Sequence, residues 1–480
     1  MQSKKSTLTI FSITLLAILT TQIANIGIWR DEVFTLQLLE HTKENIVALT
    51  AQDVHPPLYY LLAKPFQLLA NGNLFLEIRF LRFFSILPIL AIVAVLYRYL
   101  REKGLETKKA YLLSILFLLM PHVLLSATDM RMYGFSQLFL LLSFISMQKF
   151  LEEKRVKSLV AASFFALLCL YTNYFAGLAA GGVFLYAMLV FLMSKSYRQI
   201  LQIIAFGVGI GVLYFPWLLI LISQLKAVHE DFWMQSMGLR DIILSFMYLF
   251  SSADGNVPHL LSFVLLFVSA LLLAVLAVQL WRGKKLQMLL EKEIAFGLFV
   301  PAFVLLVGLS VSFLFRPVFL PRYLLVSAPV AYLSLVEIGR KLSSRTFKTM
   351  AIVFFGISLI YSAGIDLVQL KNSSVIEEMS TQLASTAVLA DKSDNSGRLA
   401  SVYSEIVYEQ EADSYIQKQF EPYENQIASR QDLPESFYYF HQKANTQELD
   451  LEGYAKTEEF SIRLNSEGSY LYTKYERVKG

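Results

Sequence analysis

The sequence predicts an all-α polytopic membrane protein of about eleven transmembrane helices, followed by a small C-terminal extracytoplasmic α+β domain. Three observations predict it. Of 480 residues 55% are hydrophobic and only 17% are charged, where a soluble domain carries roughly 25%. Apolar runs, each near the ~20 residues that cross ~30 Å of hydrocarbon, recur up to residue 368 and then stop. The segments between those runs alternate in charge.

The first run, near 7–27, follows the basic start MQSKK. No small-residue cleavage site follows it, so an uncleaved span is expected. Further runs fall near 78–98, 109–127, 132–150, 158–175, 177–194, 199–223, 259–280, 294–314, 323–339 and 349–367. MQSKK, RYLREKGLETKK, KFLEEKRVK, SKSYR, RGKKLQMLLEKE and GRKLSSRTFK are basic, and the positive-inside rule assigns them to the cytoplasm. The intervening connections then share the outer face of a cell (plasma or inner) membrane: the Asp31 loop, the Asp129 turn, the 224–258 loop, the 315–322 turn and the tail. The expected division is a membrane domain over 1–368 and an extracytoplasmic domain over 369–480.

The tail carries Glu377, Glu378, Glu409, Glu411, Asp413, Glu458 and Glu459. The formal charge of +4 therefore averages two unlike parts. ASVYSEIVY, SFYYFH and GSYLYTKYER read as strands, and the tail is too aromatic for disorder. The single cysteine, Cys169, lies in an expected span, which excludes an intramolecular disulfide and reads as inert packing. No solenoid period, zinc pattern, phosphate-loop glycine signature or G-x-S-x-G elbow is present.

Chemistry-bearing residues gather in the outer connections. Asp31 and Glu32 follow Trp29 directly after the first span. They either end a helix in water, or form a like-charge pair in which one carboxylate gains proton affinity and serves as a base. In AQDVHPPLYYLL, Pro56 and Pro57 impose an extended entry, and Tyr59 and Tyr60 suit an interface. His55 could bind phosphate, relay a proton or ligate a metal, or be a solvated histidine at a Pro–Pro helix start. Asp53 and His55 with Asp31 and Glu32 permit a loose divalent-cation site, and their spacing does not require one.

SATDMRMYGF places Asp129 and Arg131, with Tyr133, at a membrane boundary, where charges are costly unless paired or useful. FRPVFLPRYLL places Arg316 and Arg322 on the outer side, against the positive-inside trend. They either bind an anionic partner, for which a planar guanidinium suits phosphate, or anchor to lipid headgroups. Arg82, near the start of the second run, is a further candidate for that partner. The loop QLKAVHEDFWMQSMGLRDIILSFMYLFSSADGNVPHL is long and amphipathic, as a membrane-surface lid is. Its Phe232 and Trp233 either stack on a sugar or isoprenoid, or anchor at the interface.

Taken together, the Asp-Glu pair after the first span, D-x-H-P-P-L-Y-Y, the acid ahead of R-M-Y and the late R-Y resemble bacterial GT-C class membrane glycosyltransferases. Specifically, they resemble the glycosyltransferase family 39-like branch of protein mannosyltransferases and aminoarabinose transferases. The resemblance spans roughly 7–340 and implies transfer of a sugar from a polyprenyl-phosphate donor to a cell-envelope acceptor, among membrane lipids and with no nucleic acid. It implies Asp31 as general base with Glu32 completing the pair, and Asp129 as a second acid that orients substrate. His55 stands where the aminoarabinose enzymes carry a lysine linked to the donor phosphate. Because histidine is mostly neutral at pH 7, either Arg82, Arg131, Arg316 or Arg322 supplies the phosphate's cation, or neighbours charge His55. Val54 replaces a glutamate of those enzymes, which weakens any metal site carried over from them. A displacement in one step would invert the anomeric carbon. A transporter or flippase of a lipid-linked saccharide is the second reading; it predicts midplane charges and repeated halves, and neither is evident.

Overall fold

The structure, a computed structural model, describes residues 2–230, 238, 242–243, 245, 247–251, 259–283, 285–315, 317–342, 344–383, 386–391, 396–404, 407–410, 427–428, 433–443, 453–464 and 468–478. Arg316, Phe232 and Trp233 lie outside the described residues.

Helix α1 (Gln2–Ala24) leads into three short helices, α2 (Arg30–Glu40), α3 (Lys43–Gln52) and α4 (Leu58–Leu68). Then follow α5 (Leu74–Glu102), α6 (Thr107–Leu116), α7 (Pro121–Leu125), α8 (Tyr133–Glu153), α9 (Val156–Thr172), α10 (Tyr174–Met193) and α11 (Tyr197–Glu230). The membrane part closes with α12 (His259–Arg282), α13 (Lys292–Leu314), α14 (Ala328–Leu342) and α15 (Arg345–Leu383).

Among the described residues eight helical segments are long and apolar enough to span a membrane, and Ser12–Ala24 and Val156–Thr172 are shorter apolar helices. The run expected over 109–127 is not one helix. It breaks into α6, a 3-10 turn at Phe117–Leu119 and α7, because Pro121 has no N–H to give to the preceding turn. Side-chain caps start the helices that frame the site. Thr42 accepts from Asn45 N at 3.4 Å, Asn73 from Leu76 N at 3.0 Å and Asn173 from Phe175 N at 2.8 Å. Helix α4 begins directly after Pro56–Pro57.

Helix α15 runs unbroken past residue 368 to Leu383, and a six-stranded sheet follows. Its strands are β1 (Val388–Asp391), β2 (Val407–Gln410), β3 (Ile427–Ala428), β4 (Ser436–Gln442), β5 (Tyr454–Leu464) and β6 (Gly468–Arg477), in the order β3-β2-β1-β4-β6-β5. Strands β1 to β4 pair in parallel, and β4-β6-β5 pair antiparallel.

The tail is thus an α+β domain, and its elements differ in part from expectation. ASVYSEIVY is not one strand: its first four residues end a helix, α16 (Ser396–Tyr403), and β2 starts at Val407. The helix buries Leu399, Ala400 and Tyr403 along one side. Strands β1, β3 and β5 were not anticipated; in β5 the apolar alternation is confined to Phe460, Ile462 and Leu464, after a polar first half. One sheet face, with Val388, Ala390, Phe440, Tyr470 and Tyr472, is continuous with the core of the membrane helices. Helix α16 packs on that face and against α2. The C-terminal domain therefore sits at the same end of the bundle as the Asp31 loop.

Candidate active site

Successive side chains on a helix diverge by about 100°, so the two acids in the first turn of α2 part company. Glu32 turns inward and is fully buried. As the third residue of the helix it reaches back to the N–H of Trp29, 3.3 Å from its Oε2. Its Oε1 accepts from Met130 N at 3.0 Å, and Arg82 Nη2 lies 3.2 Å from Oε2. The same guanidinium donates to the carbonyls of Gly27 at 2.6 Å and Thr128 at 3.4 Å. Thr35 Oγ1 adds a bond to Met130 O at 2.9 Å. Glu32 and Arg82 thereby lock the loop after α1 to the turn before α8, and neither group is presented to the exterior.

Asp31 turns the other way, with a side chain 15% exposed. Arg322 Nη2 and Arg131 Nη2 stand 3.4 and 4.0 Å from its Oδ2, and Arg30 Nε stands 3.8 Å from its Oδ1. The guanidiniums are themselves held. Arg322 lies over the Trp29 ring at 5.4 Å, and Arg131 over Phe34 at 5.9 Å. Arg131 Nη1 donates to the Asp31 carbonyl at 3.1 Å and to Tyr60 Oη at 3.2 Å, and Nη2 bonds His55 Nε2 at 3.0 Å. His55 Nδ1 lies 2.8 Å from Asp53 Oδ2. Among the described residues the buried Nε–H groups of Arg131 and Arg322 have no hydrogen-bond partner, an uncommon state for a guanidinium.

This arrangement overturns the like-charge argument for Asp31. Burial pushes its pKa up, but chiefly Arg322, then Arg131 and Arg30, outweigh burial and hold it at about 2. Burial raises Glu32 instead, against the pull of Arg82. At this point of the molecule three guanidiniums gather on the one carboxylate of Asp31. Arginine forks gathered in this way suit an anion bearing several oxygens.

The remaining predicted residues divide. Asp129, half-buried in the turn between α7 and α8, has no hydrogen bond or ion pair on its carboxylate among the described residues. Burial and then the charge of Glu32 push it up to about 8, against Arg82, Arg131 and Arg322. Tyr59 is fully buried with its Oη 3.1 Å from Ser85 Oγ, inside the protein rather than at the site. Tyr133 begins α8 and is buried beside Arg131 and Arg322.

Several site residues were not singled out from the sequence. Arg30 and Phe34 are within one helical turn of Asp31, a periodicity that could have flagged them. Tyr60 was legible only as an interfacial tyrosine. Tyr403 carried no signal: from the C-terminal domain its Oη lies 3.4 Å from both Ile28 N and Ile26 O, in the loop that carries Asp31. Among the described residues no group of three His, Cys, Asp or Glu side chains is placed to hold a metal ion.

No family model matches the chain, and no curated protein matches it in sequence. In three dimensions it is similar to the crystal structure of ArnT from Cupriavidus metallidurans in the apo state, with TM-score 0.56, 10% identity and 98% of each chain covered. The structure of the same protein bound to undecaprenyl phosphate gives TM-score 0.49, 11% identity and 98% coverage of each chain. The fold is therefore of the GT-C type, a helical membrane bundle with a small C-terminal sheet domain.

Proposed function

We propose that this chain is a membrane glycosyltransferase that moves a sugar from a polyprenyl-phosphate donor to an acceptor hydroxyl of the cell envelope, on the extracytoplasmic face. The observation that carries the reading is Asp31: one carboxylate, reachable from outside, with three guanidiniums within 4.0 Å, on a GT-C-type bundle. A polyprenyl phosphate has a charged head and a tail that cannot leave the bilayer, so its chemistry belongs at the end of a membrane bundle. Lys and Arg gather at the other end, where Lys103 pairs with Glu293 at 2.7 Å and Lys149 with Glu102 at 3.1 Å. That distribution supports an outward-facing site.

The geometry supports the following roles. Arg131 and Arg322 take the donor phosphate, and their unbonded Nε–H groups supply further donors. As the phosphate draws these cations off, Asp31 loses the charges that keep its proton affinity low and becomes able to accept the acceptor's hydroxyl proton. The acceptor oxygen attacks the anomeric carbon while the guanidiniums stabilise the charge on the departing phosphate. One displacement inverts that carbon. Glu32 and Arg82 hold the Asp31 loop in place, Asp129 orients substrate beside them, and the C-terminal domain supports the loop through Tyr403.

The test uses cells lacking the chain, with mass spectrometry of envelope glycans and of polyprenyl-phosphate sugars. The reading predicts that one glycan decoration disappears, its lipid-linked sugar persists, and the native chain restores the decoration. Loss of the lipid-linked sugar as well would place the chain upstream of transfer and contradict it.

A further inference from the structure

The polarity of the hydrogen bonds around His55 follows from its partners. Arginine carries donors only, so Arg131 Nη2 donates to Nε2, 3.0 Å away, and Nε2 holds a lone pair. The proton of the ring is then on Nδ1, donated to Asp53 Oδ2 at 2.8 Å. His55 is clamped between the Arg131 guanidinium and the Asp53 carboxylate. The charged groups facing it are Asp53 from its own loop, Arg131 from the turn before α8 and Asp31 from α2. The Phe34 ring stands 6.4 Å away, Tyr60 shares Arg131, and the side chain of His55 is 21% exposed. A phosphodiester that engages Arg131 brings oxygens that only accept. Nε2 and Asp53 would then both demand a proton from a ring that has one.

We propose that binding of the anionic donor is coupled to uptake of one proton by His55, which becomes an imidazolium bridging Asp53 and the donor phosphate. This rests on the polyprenyl-phosphate-sugar reading and adds an acid to it. In transfer, the bond between the anomeric carbon and the phosphate oxygen breaks, and its electron pair stays on that oxygen. His55 Nε2 gives its proton to the phosphate, which departs as a monoanion, and the ring returns to neutral. The acceptor's hydroxyl proton goes to Asp31, from there to solvent, and the acceptor oxygen bonds the anomeric carbon. The proton taken up at binding leaves on the product, so charge and atoms balance.

The probe is the methyl ester of a polyprenyl phosphate, a diester with one fixed charge, and the measurement is its Kd against pH for the native chain, His55→Gln and His55→Lys in detergent. Coupling to one proton predicts that native affinity rises close to ~10-fold per pH unit as pH falls through the neutral range. His55→Gln is expected to bind weakly and His55→Lys tightly, both without that slope. A flat native profile overturns the proposal. So does a slope that survives in His55→Gln, which would assign it to another group such as Asp129, or leave His55 a merely structural part. Absence of diester binding by the native chain at every pH overturns the polyprenyl-phosphate reading itself, and the coupling with it.

Discussion

Arg82 gives the sharpest separation between a residue that binds substrate and one that holds the site together. Arg82→Met removes the cation from Glu32, which is fully buried and keeps only the N–H groups of Trp29 and Met130. It also strips a donor from the Gly27 and Thr128 carbonyls. Breaking one side of a buried ion pair costs about 3–5 kcal/mol, a large share of the ~5–15 kcal/mol that keeps a domain folded. The assay is equilibrium unfolding in mixed micelles of the native chain, Arg82→Met, Glu32→Gln and the double variant. Arg82→Met is expected to lose about 3–5 kcal/mol. The double variant should lose less than the sum of the singles, with a coupling of at least ~2 kcal/mol, as residues sharing one network do. Native stability in Arg82→Met together with weakened donor binding would refute this reasoning and return Arg82 to the phosphate.

Three more outcomes follow from the same geometry. Asp129 is pushed up to about 8 by burial and by Glu32, so the folded state holds its proton more tightly than the unfolded chain. That contribution is whole below the ordinary carboxylate range and lost as pH rises to about 8; Asp129→Asn should therefore gain thermal stability over native at pH 8 and little at acid pH, while transfer falls. An equal gain at both pH values would contradict it. Arg322→Ala should raise the KM for donor by about 10–100-fold, the worth of one hydrogen bond to a charged group, and that for acceptor far less. An effect confined to acceptor would remove the phosphate role. Tyr403→Phe should lose about 1 kcal/mol and speed amide exchange at Ile28, whereas unchanged exchange would mean the C-terminal domain does not brace the loop.

How much of this was legible varied with the kind of signal. Fold class and the bundle end shared by Asp31, His55, Asp129 and Arg322 could be read from hydropathy and charge alternation, because lipid imposes both on the sequence directly. The break at Pro121 was also visible as a proline inside an apolar run, yet hydropathy alone overrode it. The division of labour between Asp31 and Glu32 was hidden, since adjacency suggests repulsion while the helix sends the two side chains to different sides. That Arg82 answers Glu32 rather than a ligand could not be read, because nothing in the chain links positions fifty apart. The bond from Tyr403 to the Asp31 loop spans 375 positions, and only the packing of α16 on α2 brings it there.

The account stands most directly on Asp31. Its test is a comparison of cells lacking the chain and complemented either with the native chain or with Asp31→Asn, reading the envelope glycan by mass spectrometry and the amount of folded membrane protein in parallel. The account predicts that Asp31→Asn accumulates like the native chain and leaves the decoration absent, a loss on the order of 10²–10⁴ in rate for a missing base. If Asp31→Asn restores the decoration, the carboxylate at the centre of the arginine cluster is not the base, and the assignment fails.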